Sequence, residues 1–434
     1  MHMSPRPRRA PILTSDPRAL ARWLWRELAP ERWPLPPPLL PAGTALVGGA
    51  VRDGLLGRLA ERPDLDLVVE GDAIALARAL AGRWGGSCVV LDQDRSIARL
   101  VLRGWTIDLA RCAGGNLEAD LRRRDYTVNA IALPLAPAEE VAELVDPLGG
   151  LADLEAARLV AISEANLLDD PLRLLRGIRL ATELAFGLAP QTWDWIRHHH
   201  QRLGAVAGER VLAELERLAA AAGGERGLAQ VLEAGLLEPW GGRGLETALI
   251  ALTLGAADAR GLTSEERGWA LPLARLATVL NGEALTRLPL SRRLEQRCRR
   301  LRHWRGKLTG GSGASLELLA EPDRLRMQQE LEDDLPALLL AVAPAEAHGA
   351  LARWRDRRDP LFHPRTPLDG RVLQERLGIR PGPLLGRLIH HLTLEQAFGR
   401  LEATGAGRSS DALEAETLRI ARQWLGGQGD PRRD

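Results

Sequence analysis

The chain has 434 residues, a formal net charge of +1 and three cysteines. That length sets an expectation of two to four domains at roughly 100–200 residues each, and no apolar run approaches the roughly 18 residues a membrane span needs. Cys88, Cys112 and Cys298 lie far apart with no CxxC pair, which argues against a disulfide framework or a zinc knot and fits a reducing cytoplasm.

Residues 17–32 read as a helix, and the Pro-rich 34–41 as an extended linker. From Thr44 to about Val160 the pattern is mixed, with strands expected at 44–48, 64–69, 87–92, 97–103 and 105–110 and helices at 50–60, 72–83 and 117–132. Asp92-Gln93-Asp94, between two apolar runs, signals a turn joining antiparallel strands. After about residue 161 strand signals vanish, and Leu, Ala, Arg and Glu recur at helical spacing, broken by Gly pairs. The expected fold class is therefore α+β, a mixed-sheet head followed by an all-helical remainder. The stretch 309–314 reads as its most flexible linker.

Four segments carry chemistry. Residues 46–53 (LVGGAVRD) read as a strand, a Gly turn at Gly48-Gly49 and a helix start, a backbone able to approach phosphate, with Arg52 adding a charged fork. About a dozen residues on, Asp64 and Asp66 alternate along a strand and so share a face. Two carboxylates on an apolar strand suit Mg²⁺ ions that bridge a triphosphate and an attacking hydroxyl. Asp108 in WTIDLA is either a third carboxylate of that set or a strand-end residue in a turn.

In DLRRRDYTVNAI, residues 120–131, three consecutive arginines cannot all face one way. One reading is a solvated basic helix face. The other sends Arg124 to phosphate and Asp125 to ribose hydroxyls. In LDDPLRLLRGIR, residues 168–179, Asp169 or Asp170 suits a helix N-cap with Pro171 at the first helical position. Asp170 with Arg173 offers the acceptor and donors that a base's Watson–Crick edge requires, and an intrahelical ion pair is the alternative. His198-His199-His200 diverge on a helix and read as a solvated run, while Trp304, in the Arg-rich 292–305 segment, could pack or stack on RNA.

In this order, GGAVRD, DLD, RRD and DDPLR resemble the motifs of the class II tRNA nucleotidyltransferases (CCA-, CC- and A-adding enzymes), a family that includes bacterial poly(A) polymerases. The likeness covers about residues 44–220. Asp146-Pro147-Leu148-Gly149-Gly150 resembles the head-to-neck hinge, Glu209-Arg210 with Glu214-Leu215 the next neck motif, and residues 367–388 the tRNA-holding tail.

The resemblance implies a nucleotidyltransferase head over 44–160, a base-selecting neck over 161–225, a body over 226–308 and a tail over 315–434, after an N-terminal helix and linker in 1–43. It implies Asp64 and Asp66 as Mg²⁺ ligands, Gly49, Arg52 and Arg124 on the incoming nucleotide, Asp170 and Arg173 reading its base, and Arg176 near phosphate. The implied partners are tRNA, CTP and ATP, with no membrane. The motif departs from the family's usual Glu-Asp by carrying Asp169-Asp170. A second departure is the segment Arg111–Asn116, shorter than the loop that CCA-adding relatives use to switch from C to A. It favours an enzyme that stops at CC. Full CCA or A addition, poly(A) synthesis and an inactive RNA-binding module are the alternatives.

Overall fold

The computed structural model describes residues 16–135, 143–242, 247–310, 313–401 and 410–427. The ends of the expected N-terminal and tail segments, and two residues of the 309–314 stretch, lie outside them. The chain divides into two compact units, one of residues 1–214 with 233–239 and one of 215–232 with 240–434.

The first unit begins with helix α1 (Pro17–Leu28), capped by the Asp16 side chain. Strand β1 (Ala45–Val47) then meets a turn at Gly48, whose φ of +75° favours a residue without Cβ, and enters α2 (Gly49–Leu55). Next come β2 (Leu65–Val69), α3 (Ala73–Trp84), β3 (Ser87–Asp92), β4 (Ile97–Leu102) and β5 (Trp105–Arg111). Helix α3 starts on Asp72, which accepts from the Ile74 and Ala75 amides. The turn expected at 92–94 joins β3 to β4 antiparallel, and Asp92 accepts from the Arg95 amide at 2.9 Å.

Two helices expected in the head are corrected. The helix expected over 50–60 ends at Leu55. The helix expected over 117–132 is α4 (Leu117–Arg122) alone, followed by a 3₁₀ turn at Thr127–Asn129 and strand β6 (Ala132–Pro134). A short apolar run buried on all sides has no periodicity to separate strand from helix. Strand β6 pairs antiparallel with β1 at the sheet edge, where Pro134 is tolerated. The sheet order is β3-β4-β5-β2-β1-β6, with only β2 and β5 parallel.

Helix α5 (Gly150–Glu155) follows the hinge motif, its first amides held by Asp146 at 2.8 and 2.9 Å. Gly150 is required there, since a Cβ would lie 2.3 Å from the Thr127 carbonyl oxygen. Beyond it, β7 (Arg158–Leu159) pairs parallel with β8 (Gly187–Leu188), the second of them in the region expected to be wholly helical. Between them run α6 (Glu164–Asp169) and α7 (Leu172–Leu184). Asp170 stands one residue ahead of the capping position and accepts from the Leu172 amide.

The second unit is almost entirely helical among the described residues. Its centre is the helix Ser264–Val279, opened by a capping box between Thr263 and Glu266 and packed against the helix Arg292–Leu308. That basic helix ends in a small hairpin, Thr309–Gly310 against Gly313–Ala314, where a linker was expected. Trp304 does not face outward: it is fully buried and its Nε1 donates to Glu330. The run at 198–200 does not converge either, as His199 meets Glu164 and His200 meets Glu238.

Candidate active site

Asp66 is the second residue of β2, and Asp64 lies exposed one residue before the strand. The parallel register sets Asp66 beside Asp108 of β5, and the antiparallel register sets Asp108 beside Arg99 of β4. Asp108 is committed to that neighbour: Arg99 donates to both its oxygens at 2.8 Å. Asp66 has no hydrogen-bond donor among the described residues. Burial, with Asp108 and Asp64 adding to it against the pull of Arg124 and Arg176, raises its pKa from 3.8 to about 6. A buried carboxylate beside two others would be stabilised in its charged form by a cation. Among the described residues no three His, Cys, Asp or Glu side chains gather to hold a metal alone. Two hard carboxylates completed by substrate oxygens and water are nevertheless the donor set Mg²⁺ takes in phosphate chemistry, so Asp64 and Asp66 fit it.

The Gly turn closes over Asp66. A Cβ on Gly48 would lie 2.9 Å from Asp66 Oδ2 and 3.6 Å from Arg124 Nη1. Gly48 therefore brings Asp66 and Arg124 together across its own backbone. Gly49 begins α2 beside the Arg52 guanidinium. Arg52 is buried and fixed in a plane, donating to both Asp53 oxygens and, at 2.6 Å, to Asn129 Oδ1.

Arg124 joins the carboxylates to a neighbouring cleft. Its guanidinium is anchored on Asp120 at 3.0 and 3.2 Å, one helical turn back. It also lines a cleft of about 530 Å³ together with Arg123, Asp170, Arg173, Cys112 and Gly114. The residues of the third and fourth motifs thus share one cavity. Arg173 is held by the Arg123 and Asn166 carbonyls at 3.2 and 2.7 Å, and Asp170 receives a two-point bond from Arg210 at 2.7 and 3.3 Å.

Asp125 departs from the ribose role expected of it. It is buried, with its carboxylate occupied by Arg176, Asn129 and the Tyr126 amide, and these partners hold its pKa low against the cost of burial. Arg176 in turn has its pKa raised chiefly by Asp125 and contributes its field to Asp66. Arg179, on the same helix, is buried against Glu214 and Glu183. Tyr126 is buried beneath α7, donating from its hydroxyl to the Arg173 carbonyl at 2.7 Å. Only glycine at 177 permits this, because a Cβ there would stand 2.0 Å from the Tyr126 oxygen.

Reading the motifs singly missed Arg210, Asn129, Asp120 and Arg99, each holding a motif residue in place. Arg210 lies in the Glu209-Arg210 pair already noted, and Asn129 ends the RRDYTVN run, so both carried a signal. Arg99, alone among apolar strand residues, carried none.

A mixed sheet with a carboxylate pair, a Gly turn over Asp66 and a basic cleft beside it is the architecture of a nucleotidyltransferase head. Residues 44–160 match the model of the poly A polymerase head domain, and residues 185–240 that of the probable RNA and SrmB-binding site of polymerase A. The chain is 35% identical over 386 residues to a CC-adding tRNA nucleotidyltransferase of Synechocystis sp., covering 84% of this chain and 91% of the relative. It is 44% identical over 213 residues to an A-adding tRNA nucleotidyltransferase of Deinococcus radiodurans, 48% of this chain and 46% of that one. The fold is also that of a Thermotoga maritima CCA-adding enzyme solved with tRNA, at a TM-score of 0.64 and 21% identity over 93% and 94% of the two chains. The chain belongs to the tRNA nucleotidyltransferase family and is an enzyme.

Proposed function

We propose that this enzyme transfers CMP from CTP to the 3′-terminal hydroxyl of tRNA and stops after two cytidines. The observation that carries the stop is the connection between β5 and α4. It consists of Cys112, one turn at Ala113–Gly115, and the helix cap Asn116. It is tied down at both ends: the Cys112 and Ala113 amides donate to the Val69 carbonyl at 2.7 Å and to Asp120 at 3.2 Å, and the Asn116 side chain accepts from the Ala119 amide at 2.8 Å. Cys112, Ala113 and Gly114 line the cleft, so its wall is pinned where a longer segment would have room to rearrange between nucleotides. The CC-adding name of the Synechocystis relative agrees.

In this mechanism Asp64 and Asp66 would hold Mg²⁺, which when bound neutralises the triphosphate and lowers the pKa of the attacking hydroxyl in a two-metal transfer. The 3′ hydroxyl gives up its proton to water, its oxygen forms a bond to the α-phosphorus as the bond to the bridging oxygen breaks, and pyrophosphate leaves. Arg124 binds phosphate at the mouth of the cleft, with Arg52 and the Gly48-Gly49 turn closing over the triphosphate. Asp170, aligned by Arg210, and Arg173, aligned by two carbonyls, present an acceptor and donors to the base edge. Protein side chains therefore do the templating.

The A-adding Deinococcus relative supports a second reading, addition of A to a tRNA already ending in CC. Product length decides between them. Given tRNA lacking its terminus, CTP and ATP, the enzyme yields a product ending in CC. A product ending in A overturns the CC-only assignment, and addition of A to a CC-ended tRNA without CTP use establishes the second.

A further inference from the structure

The face of the sheet that carries the carboxylates is only half covered. On one half, Val68 packs with Leu121 of α4, Ala130 and Ala132. On the other face α3 packs against β3, β4 and β5, burying residues such as Leu100 and Leu102. Over β3 and β4 the carboxylate face is left open, and it is apolar. Val89 is 51% exposed, Leu91 49% and Val101 39%.

The strand register makes this strip continuous with the site. Asp66, Asp108, Arg99 and Val89 are successive partners across β2, β5, β4 and β3, so they form one row on one face. At about 4.8 Å per strand, Val89 lies about 14 Å from Asp66. That is within reach of the last nucleotides of a strand whose terminal hydroxyl lies at Asp66. Arg99 stands between the two ends of the row. Two of its nitrogens hold Asp108, and Nη1 has no hydrogen-bond partner among the described residues.

We propose that the strip Val89–Arg99–Val101 is the seat of the unpaired 3′ end of the acceptor RNA. The terminal bases lie against Val89 and Val101, and a backbone phosphate meets the outward nitrogen of Arg99. The row explains why apolar side chains stand exposed beside a charged site. A base has an apolar face that any flat hydrophobic surface can cover, whatever its sequence. This inference rests on the reading of the enzyme as a tRNA 3′-terminal transferase.

The test measures CMP incorporation against the concentration of tRNA lacking its terminus, with CTP affinity measured separately by calorimetry. The double variant Val89→Ser/Val101→Ser is expected to raise the KM for RNA about tenfold, the worth of one base contact, and to leave the CTP Kd unchanged. Val89→Tyr, which offers a ring in place of the isopropyl group, is expected to hold that KM at or below the wild-type value. An unchanged RNA KM in the serine variant overturns the inference while CMP incorporation by the wild type leaves the functional reading standing. A wild-type dimer in sedimentation that the same substitutions dissolve also overturns it, by showing the strip to be a contact between two copies. Failure of the wild type to incorporate CMP removes both.

Discussion

Replacing Asp66 by asparagine is expected to stabilise the metal-free enzyme while abolishing nucleotide transfer. The carboxylate is partly buried beside Asp108 and Asp64, and its pKa rises from 3.8 to about 6. Because the folded value lies above the unfolded one, the folded state holds a proton the unfolded state has lost between those values. Ionised Asp66 therefore costs stability, fully above pH 6, and the cost disappears as pH falls through 6 towards 4. At about 1.36 kcal/mol per pKa unit the upper bound is about 3 kcal/mol, and solvent reaching the carboxylate brings a realistic figure to about 2 kcal/mol. Calorimetry of the metal-free protein at pH 7.5 should place the Asp66→Asn transition about 4–8 °C above wild type, with the gap closing at pH 4.5. Added Mg²⁺ with CTP should raise the wild-type Tm more than the variant's. A variant melting below wild type at pH 7.5, or a gap that persists at pH 4.5, refutes the reasoning.

Gly48→Ala should reduce incorporation sharply, because the new Cβ would press on Asp66 Oδ2 at 2.9 Å from a backbone at φ +75°; strain of about 1–3 kcal/mol should also show in the melt. Arg210→Ala leaves Asp170 without its two-point partner. Discrimination between CTP and UTP should fall about tenfold, read as the ratio of kcat/KM values, with little change in Tm at this exposed residue. Gly177→Ala should destabilise the protein by about 1–3 kcal/mol through overpacking against Tyr126, and urea unfolding of the variant checks it.

The elements of the head were legible in the sequence wherever a pattern alternated or a cap stood out, as at β3, β4 and α3. Helix α4 was overextended because the apolar residues after Tyr126 are buried in every direction and lose their period. Site residues were legible as motifs, but their roles depend on partners distant in sequence. Asp125 reads as a ligand until Arg176 and Asn129 are seen to occupy it. Trp304 reads as either a packing residue or a stacking platform until its neighbours close around it. No spacing rule announces that Arg99 will lie between Asp108 and Val89, since that follows only from the order of strands in the sheet.

Tyr126 is the sole tyrosine of the chain, and it lies beneath the helix that carries Asp170's neighbour Arg173. Burial pushes its hydroxyl pKa upward, so the phenolate that nitrating and iodinating reagents attack is suppressed while α7 stays seated. The enzyme thus carries one phenol whose modification reports on this single packing contact. The rate at which Tyr126 is modified is expected to rise with any loosening of α7 over it, and to fall if a nucleotide binds at Arg173.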